Sequence, residues 1–191
     1  MRKIIVSLNI TLDGFIAGPD CELDWHFSRW STEMAEALGE KLSQADTILF
    51  GRVTYNAMAG YWQSRYHHTD LPREEYAFAE MMQQHRKIVF SRSMQNAPWE
   101  NSMVVKGNMQ KAIAALKQQP GKDMIVYGSG RLVSALMKKD LIDGYTLWIH
   151  PVLLGKGRRF SKGLNKVRNM ELKESVIFQS GVVRMEYWSV G

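Results

Sequence analysis

The 191-residue chain contains a single cysteine, Cys21. One cysteine permits neither an internal disulfide nor a thiolate metal cluster, which fits a reducing compartment, so we expect a cytoplasmic protein. No apolar run approaches the roughly 20 residues that a membrane-spanning helix needs, and we therefore expect no membrane partner. Internal repeats and Pro/Ser-rich linkers are also missing, which predicts a single domain over residues 1–191.

The charge is mildly basic, with a formal net charge of +6. The basic residues are scattered, apart from one local group: Lys156, Arg158, Arg159 and Lys162. This group is more typical of a solvated loop than of a binding patch. No nucleic-acid-binding motif accompanies it, so we expect no nucleic-acid partner.

Strand-like and helix-like segments alternate through the first 140 residues. Aliphatic runs predict strands at residues 3–10, 47–50, 86–90, 103–105 and 124–127. Apolar residues at helical spacing predict helices that begin near Ser31, Pro72, Gly107 and Gly130. The remainder is β-rich, with a segment at 145–154 and two last strands joined at Ser180-Gly181. This order predicts an α/β fold, a three-layer α/β/α sandwich whose mixed, mostly parallel sheet ends in a C-terminal antiparallel hairpin.

Three predicted strands end in residues that suit a bound phosphate. The first end has Gly51, Arg52, Val53 and Thr54; the second has Phe90, Ser91, Arg92 and Ser93; the third has Tyr127, Gly128, Ser129, Gly130, Arg131 and Leu132. Glycines allow close approach, helix N-termini supply partial positive charge, and guanidinium and hydroxyl groups donate hydrogen bonds. Taken singly, each end is also consistent with an ordinary turn. Together they indicate one crevice that could hold the phosphates of a dinucleotide, with Arg92 suited to the 2′-phosphate of NADP.

The order of the segments resembles the dihydrofolate reductase superfamily, and within it the reductase domain of riboflavin-biosynthesis proteins (the RibD C-terminal domain). The resemblance covers nearly the whole chain. It rests on residues 11–17 (TLDGFIA), 45–55 (ADTILFGRVTY), 90–93 (FSRS), 105–106 (VK), 128–132 (GSGRL) and 150–155 (HPVLLG). One departure concerns residues 55–62 (YNAMAGYW), where the riboflavin-pathway reductases have an acidic-proline and arginine stretch that helps to bind ribosyl phosphate.

The resemblance implies a dihydrofolate reductase-like fold, an NADPH cofactor and a homodimer. The implied activity is hydride transfer to a pteridine-like or ribosylaminopyrimidine-like heterocycle, similar to that of 5-amino-6-(5-phosphoribosylamino)uracil reductase. The nicotinamide would lie beside Asn9, Ile16 and Ala17, and Lys106 would lie near the adenine. The three strand ends would hold the phosphates.

Reduction also requires a proton, so a partly buried acid is expected near the substrate. Folate reducers carry a carboxylate on the helix after the first strand, where Glu33 and Glu36 are candidates, and Asp13 is a third. Each has a structural explanation as well, because helix N-termini favour glutamate and an Asp-Gly pair favours a turn.

Aromatic residues offer surface for a flat heterocycle, and the substrate-site candidates are Trp25, Phe27 and Trp62, although aromatic residues are most often part of the core. Two alternatives stay open. True dihydrofolate reduction requires Glu33 or Glu36 to be buried at the base of the pocket. A non-catalytic NADPH-binding protein would keep the cleft without consuming the cofactor. The spacing of the five histidines matches no metal-binding motif, so no metal is expected.

Overall fold

An eight-stranded sheet forms the centre of the structure, a computed structural model that describes residues 1–68, 70–161, 164 and 166–190. Lys162 of the basic group lies outside the described residues. The strands are β1 (Ile4–Thr11), β2 (Phe15–Ala17), β3 (Ala45–Gly51), β4 (Arg86–Phe90), β5 (Ser102–Val105), β6 (Asp123–Tyr127), β7 (Gly144–His150), β8 (Arg158–Arg159), β9 (Met170–Ile177) and β10 (Val183–Ser189). The helices are α1 (Thr32–Ser43), α2 (Arg52–Tyr66), α3 (Arg73–Gln84), α4 (Met109–Gln118) and α5 (Gly130–Lys138), with a 3-10 helix at Asp24–Arg29.

The strand order of the large sheet is β5-β4-β3-β6-β1-β7-β10-β9. All pairs from β5 to β7 are parallel, whereas β10 is antiparallel to both β7 and β9. The predicted mixed, mostly parallel sheet with an antiparallel terminal hairpin is therefore confirmed. A separate two-stranded sheet pairs β2 with β8, and the sequence pattern did not indicate it.

Helices cover both faces of the sheet, as the three-layer prediction requires. On one face, α4 and α5 pack on the central strands through Ile113, Leu116, Leu132, Val133 and Leu136. On the other face, α1, α2 and α3 supply Leu42, Tyr55, Ala59, Phe78 and Met82 to a second apolar cluster. Burial of this apolar surface on two sides explains why the central strands are nearly continuous runs of aliphatic residues. None of the described helices is long and apolar enough to cross a bilayer.

The β-rich segment predicted at residues 145–154 is shorter in the structure. Strand β7 ends at His150, and Pro151 follows it. Proline has no N–H to donate to a neighbouring strand, which explains the end of the pairing there. The predicted start of α1 is confirmed, since the Ser31 hydroxyl accepts a hydrogen bond from the Met34 N–H at 3.3 Å.

A buried lysine joins α3 to the segment before β5. Lys87 is fully buried, and its ammonium donates to the carbonyl oxygens of Gln83, His85 and Glu100 at 2.7, 2.8 and 2.9 Å. The Trp99 ring lies 4.5 Å from the same nitrogen. Burial lowers the pKa of Lys87 to about 8. Because one ammonium group binds three carbonyl oxygens, the lysine stabilises the connection between β4 and its neighbours.

We expect Lys87→Met to lower the free energy of unfolding by about 2–4 kcal/mol, because it removes three charge-assisted hydrogen bonds to these carbonyl groups. Urea unfolding at neutral pH measures the loss. The matched control is Lys111→Met on the exposed side of α4, for which a change within about 0.5 kcal/mol is expected. Equal losses in the two variants would show that the three hydrogen bonds contribute no net stability.

Candidate functional site

The carboxyl ends of five adjacent strands line one edge of the sheet. In spatial order these strands are β5, β4, β3, β6 and β1, and all run in the same direction. We call this side of the sheet the carboxyl edge. The predicted cofactor residues lie at or just after it: Asn9 near the end of β1, Gly51, Arg52, Val53 and Thr54 after β3, Phe90, Ser91, Arg92 and Ser93 after β4, Lys106 after β5, and Tyr127, Gly128, Ser129, Gly130, Arg131 and Leu132 after β6. The carboxyl ends of parallel strands are the usual place for a ligand crevice in α/β sheets.

Two of the predicted phosphate turns are in direct contact. A methyl group added to Gly51 would overlap the Ser129 hydroxyl oxygen, and one added to Gly128 would lie 3.8 Å from the Thr54 methyl carbon. Gly128 and Ser129 both have a φ of 60°, in the left-handed region of backbone geometry. This region favours glycine, which occupies position 128. The close approach of β3 and β6 thus brings the starts of α2 and α5 together.

The N-termini of α2 and α5 differ from those of α1 and α4. Ser31 caps α1 and Asn108 caps α4 through side-chain oxygens. Among the described residues, no side chain caps the first turn of α2, which begins after Gly51, or of α5, which begins after Ser129. Uncapped first-turn N–H groups and the helix dipole together favour an anion, so this pair of helix starts suits a diphosphate.

The residues assigned to the nicotinamide adjoin this pair of helices. A methyl group added to Gly130 at the start of α5 would lie 3.0 Å from the Ile16 side chain. Ile16 and Ala17 belong to β2, and the Ala17 carbonyl packs closely against Gly157. The side chains on β2 are therefore placed next to the α5 turn.

The two remaining cationic residues lie at the far end of the carboxyl edge. Arg92 and Lys106 are exposed, and the Ser91 N–H donates to the Val105 carbonyl at 3.2 Å, which ties the two strand ends together. The Lys106 ammonium reaches Gln95 at 2.6 Å. An exposed guanidinium beside an exposed serine, Ser93, is well suited to a phosphate that enters from solvent.

The three candidate acids do not occupy a buried pocket. Glu33 and Glu36 are exposed on α1. Asp13 accepts hydrogen bonds from the Thr11 hydroxyl at 2.5 Å and from the N–H groups of Gly155 and Leu154 at 2.7 and 3.3 Å. These bonds, that from Thr11 first, hold the pKa of Asp13 below its ordinary value. Asp13 thus anchors the loop after β7, and the burial required for true dihydrofolate reduction is not found at Glu33 or Glu36.

The structure separates the aromatic candidates. Trp62 packs on Phe78 of α3 with a centroid distance of 4.8 Å and belongs to the core under α2 and α3. Trp25 is half-buried in the 3-10 helix, and Phe27 in the same helix is 62% exposed. Of the three, only Trp25 and Phe27 lie on the segment that joins β2 to α1.

Two histidines that the sequence did not mark as site residues meet beside Trp25. The His26 ring lies 5.9 Å from the His150 ring, and the Trp25 ring lies 5.3 Å from His150. His150 pairs with Thr11 in the β1–β7 register, and its Nε2 atom is 2.9 Å from the Asn9 amide oxygen. Among the described residues, no three His, Cys, Asp or Glu side chains are grouped to hold a metal ion. The sequence did contain a signal for His150, the motif at residues 150–155. His150 ends a strand that runs parallel to β1, which brings it to the same edge of the sheet.

The sequence matches the RibD C-terminal domain family over residues 2–184. It is 32% identical over 188 residues to the uncharacterized protein YyaP of Bacillus subtilis, which covers 97% of this chain and 94% of YyaP. Among solved structures, a putative riboflavin biosynthesis protein from Shewanella sp. PV-4 superposes with a TM-score of 0.77 at 21% identity, with all of both chains covered.

Two more solved structures share the fold at lower identity. A diaminohydroxyphosphoribosylaminopyrimidine deaminase/5-amino-6-(5-phosphoribosylamino)uracil reductase from Thermotoga maritima has a TM-score of 0.70 at 15% identity, over 99% of this chain and 57% of that one. A dihydrofolate reductase from Enterococcus faecalis, complexed with NADP(H), has a TM-score of 0.62 at 13% identity, over 99% and 97% of the two chains. These likenesses confirm the dihydrofolate reductase-like fold. Together with the family match over nearly its whole length, they lead to one conclusion: the chain belongs to the RibD C-terminal domain family.

Proposed function

We propose that this protein is an NADPH-dependent reductase that transfers a hydride to a pteridine-like or aminopyrimidine-like heterocycle. The proposal rests on the carboxyl edge, where the uncapped starts of α2 and α5 touch and where Arg52 and Arg92 are both exposed. The solved relatives support it, because one is named a uracil reductase of this type and another was complexed with NADP(H).

The residues of the carboxyl edge fit the parts of this cofactor in order. The N–H groups at the starts of α2 and α5 would hold the diphosphate, since no side chain of the described residues competes for them. Arg92 would bind the 2′-phosphate, Lys106 would lie near the adenine, and Asn9 and Ile16 would orient the nicotinamide. When bound, the cofactor supplies the hydride.

The contribution of the protein is to orient two rings and to exclude water. Ile16 and the buried Ala17 would press on one side of the nicotinamide, and the segment with Trp25 and Phe27 would cover a flat acceptor. Tyr55 is not available to the substrate, because its hydroxyl accepts from the Trp99 N–H at 2.9 Å and lies 3.2 Å from the Ser102 hydroxyl. Residues 55–62 also lack the acidic-proline and arginine stretch that helps to bind ribosyl phosphate in the riboflavin-pathway reductases, so we propose that the site recognises the heterocycle and not a ribosyl phosphate.

The test is a measurement of cofactor binding followed by a measurement of cofactor consumption. NADPH should bind with a change in its fluorescence, and its absorbance should fall when 5-amino-6-(5-phosphoribosylamino)uracil, dihydrofolate or dihydropterin is added. If NADPH binds but is consumed with none of these three compounds, a non-catalytic binding protein would be favoured. Absence of binding would overturn the proposed function. The homodimer and the cytoplasmic location stay predictions.

Arg92→Ala should weaken NADPH binding by about 1.5–3 kcal/mol and leave NADH binding nearly unchanged, because it removes a charge-assisted contact to the 2′-phosphate alone. Isothermal titration with each cofactor measures the two affinities. Arg73→Ala, which removes an exposed arginine at the start of α3, is the matched control. Equal losses for both cofactors would contradict the assignment of Arg92.

Arg52→Ala should weaken NADPH and NADH to a similar extent, about 1.5–3 kcal/mol, because the diphosphate is common to both cofactors. The same titrations measure the effect. An affinity that stays at the wild-type value for both cofactors would remove Arg52 from the site.

A further inference from the structure

Three rings form a compact group between the 3-10 helix and the end of β7, and we call them the histidine cluster: Trp25, His26 and His150. The ring centroids are 5.5 Å apart for Trp25 and His26, 5.3 Å for Trp25 and His150, and 5.9 Å for the two histidines. The two histidine rings cross at 83°. The cluster thus contains two titratable side chains, His26 and His150, to which the proposed function has assigned no role.

His150 is the inner member of the cluster. It is fully buried, its Nε2 atom lies 2.9 Å from the Asn9 amide oxygen, and its Nδ1 atom has no hydrogen-bond partner among the described residues. Burial first, and then the neighbouring His26, lower the pKa of His150 to about 4. His150 is consequently neutral near pH 7, with its ring held by Asn9.

His26 is the outer member, and within the described part of the chain only its Nδ1 atom has a hydrogen-bond partner. Its Nδ1 atom donates to the Leu23 carbonyl, which leaves Nε2 free to exchange a proton. His26 is 8% exposed. Its Nε2 atom has no partner among the described residues and is not fully buried, so this nitrogen reaches solvent. The groups that act on it electrostatically are Asp24 of the same turn and His150 of β7. Burial lowers the pKa of His26, and the Leu23 carbonyl and Asp24 oppose that change.

The cluster adjoins the proposed place of the nicotinamide. Asn9, one of the residues assigned to that ring, contacts His150 directly, and Thr11 pairs with His150 across the β1–β7 ladder. Ile16, which follows on the same chain segment, lies against the start of α5. The chain segment from Asn9 to Ile16 therefore connects the histidine cluster to the start of α5.

We propose that His26 is the proton donor of the reduction, an assignment that rests on the proposed function. As the hydride reaches the carbon of the acceptor C=N or C=O group, the π bond breaks and its electron pair moves to the nitrogen or oxygen. That atom takes the proton from Nε2 of the His26 imidazolium. The heterocycle is reduced by two electrons, NADPH is oxidised to NADP⁺, and neutral His26 regains a proton from solvent.

His150 is a positioning residue in this scheme. Its ring, fixed by Asn9, packs across the His26 ring and would orient it. The carboxylates near the same end of the sheet are poor donors by comparison. Asp13 is held as an anion by its three hydrogen bonds, and Glu33 and Glu36 are exposed.

The first experiment requires no substrate. We would titrate the histidine ring protons by NMR in the NADPH complex and in the NADP⁺ complex, with the His26 signal assigned by its loss in His26→Gln. The oxidised nicotinamide is positively charged and disfavours a nearby imidazolium, so the pKa of His26 should be lower in the NADP⁺ complex by about one pH unit. The exposed His67 is the internal control and should titrate identically in both complexes.

The second experiment follows hydride transfer in a single turnover with the heterocycle that reacts fastest among the three named above. His26→Gln should bind NADPH as the wild type does and transfer hydride about 100-fold more slowly, the lower end of what a general acid contributes. The wild-type rate should fall as the pH rises through the pKa of His26, and this fall should be absent in His26→Gln. Asn9→Ala, which frees the His150 ring, should shift the midpoint of the pH profile, and Asn9→Asp should restore an acceptor for the Nε2–H group of His150. The matched control is His67→Gln, which should keep the wild-type rate and pH profile.

The outcomes separate the two proposals. If the wild type binds neither cofactor, or consumes NADPH with none of the heterocycles, the proposed function fails, and the role of His26 fails with it. If the wild type binds and reduces but the pKa of His26 is equal in both complexes, or if His26→Gln keeps the wild-type rate, only the role of His26 is overturned.

Discussion

The parallel pairing of β1 with β6 on one side and β7 on the other is the constraint on which the rest of the structure depends. The register aligns Ser7 with Tyr127 and Thr11 with His150, so that all three strands end at the same edge of the sheet. A shift of one residue would turn the buried Val6 and Leu8 away from the core and would also separate Asn9 from His150. Packing and site geometry are therefore set by the same ladder.

Small residues and helices without a side-chain cap occur together at this edge, where the turns after β3 and β6 touch. A side chain at Gly51 would overlap the Ser129 hydroxyl oxygen and force it to move, and Ser129 has left-handed backbone geometry in which its hydroxyl does not cap the helix. In the described part of the chain the first turns of α2 and α5 thus lack an internal acceptor. The N–H groups of these turns can therefore donate hydrogen bonds to a ligand. The helix dipoles favour an anion as that ligand.

Local signals in the sequence were sufficient to predict most helices and strands, and with them the strand ends that lie at the carboxyl edge. Ser31 caps α1 as its residue type suggests, and the aliphatic runs became the central strands. The sequence could not place β6 between β3 and β1, because strand neighbours are set by contacts between distant segments. The burial of Lys87 could not be predicted from the sequence either, because it depends on three carbonyl groups from two separate segments. The histidine cluster joins residues 25 and 26 to residue 150, and no spacing rule relates positions so far apart.

The division of charge along the carboxyl edge is consistent with the proposed chemistry. The exposed cations Arg52 and Arg92 lie where phosphates would bind, whereas the end at Asn9 and His150 is uncharged and buried or half-buried. In such a low-dielectric place the net charge is costly to change. A neutral dihydronicotinamide ring beside a protonated His26 carries one positive charge in total, and so does an oxidised nicotinamide ring beside neutral His26. Loss of the proton from His26 therefore offsets the charge that oxidation creates on the nicotinamide, and a carboxylic acid donor would instead convert a neutral site into an ion pair.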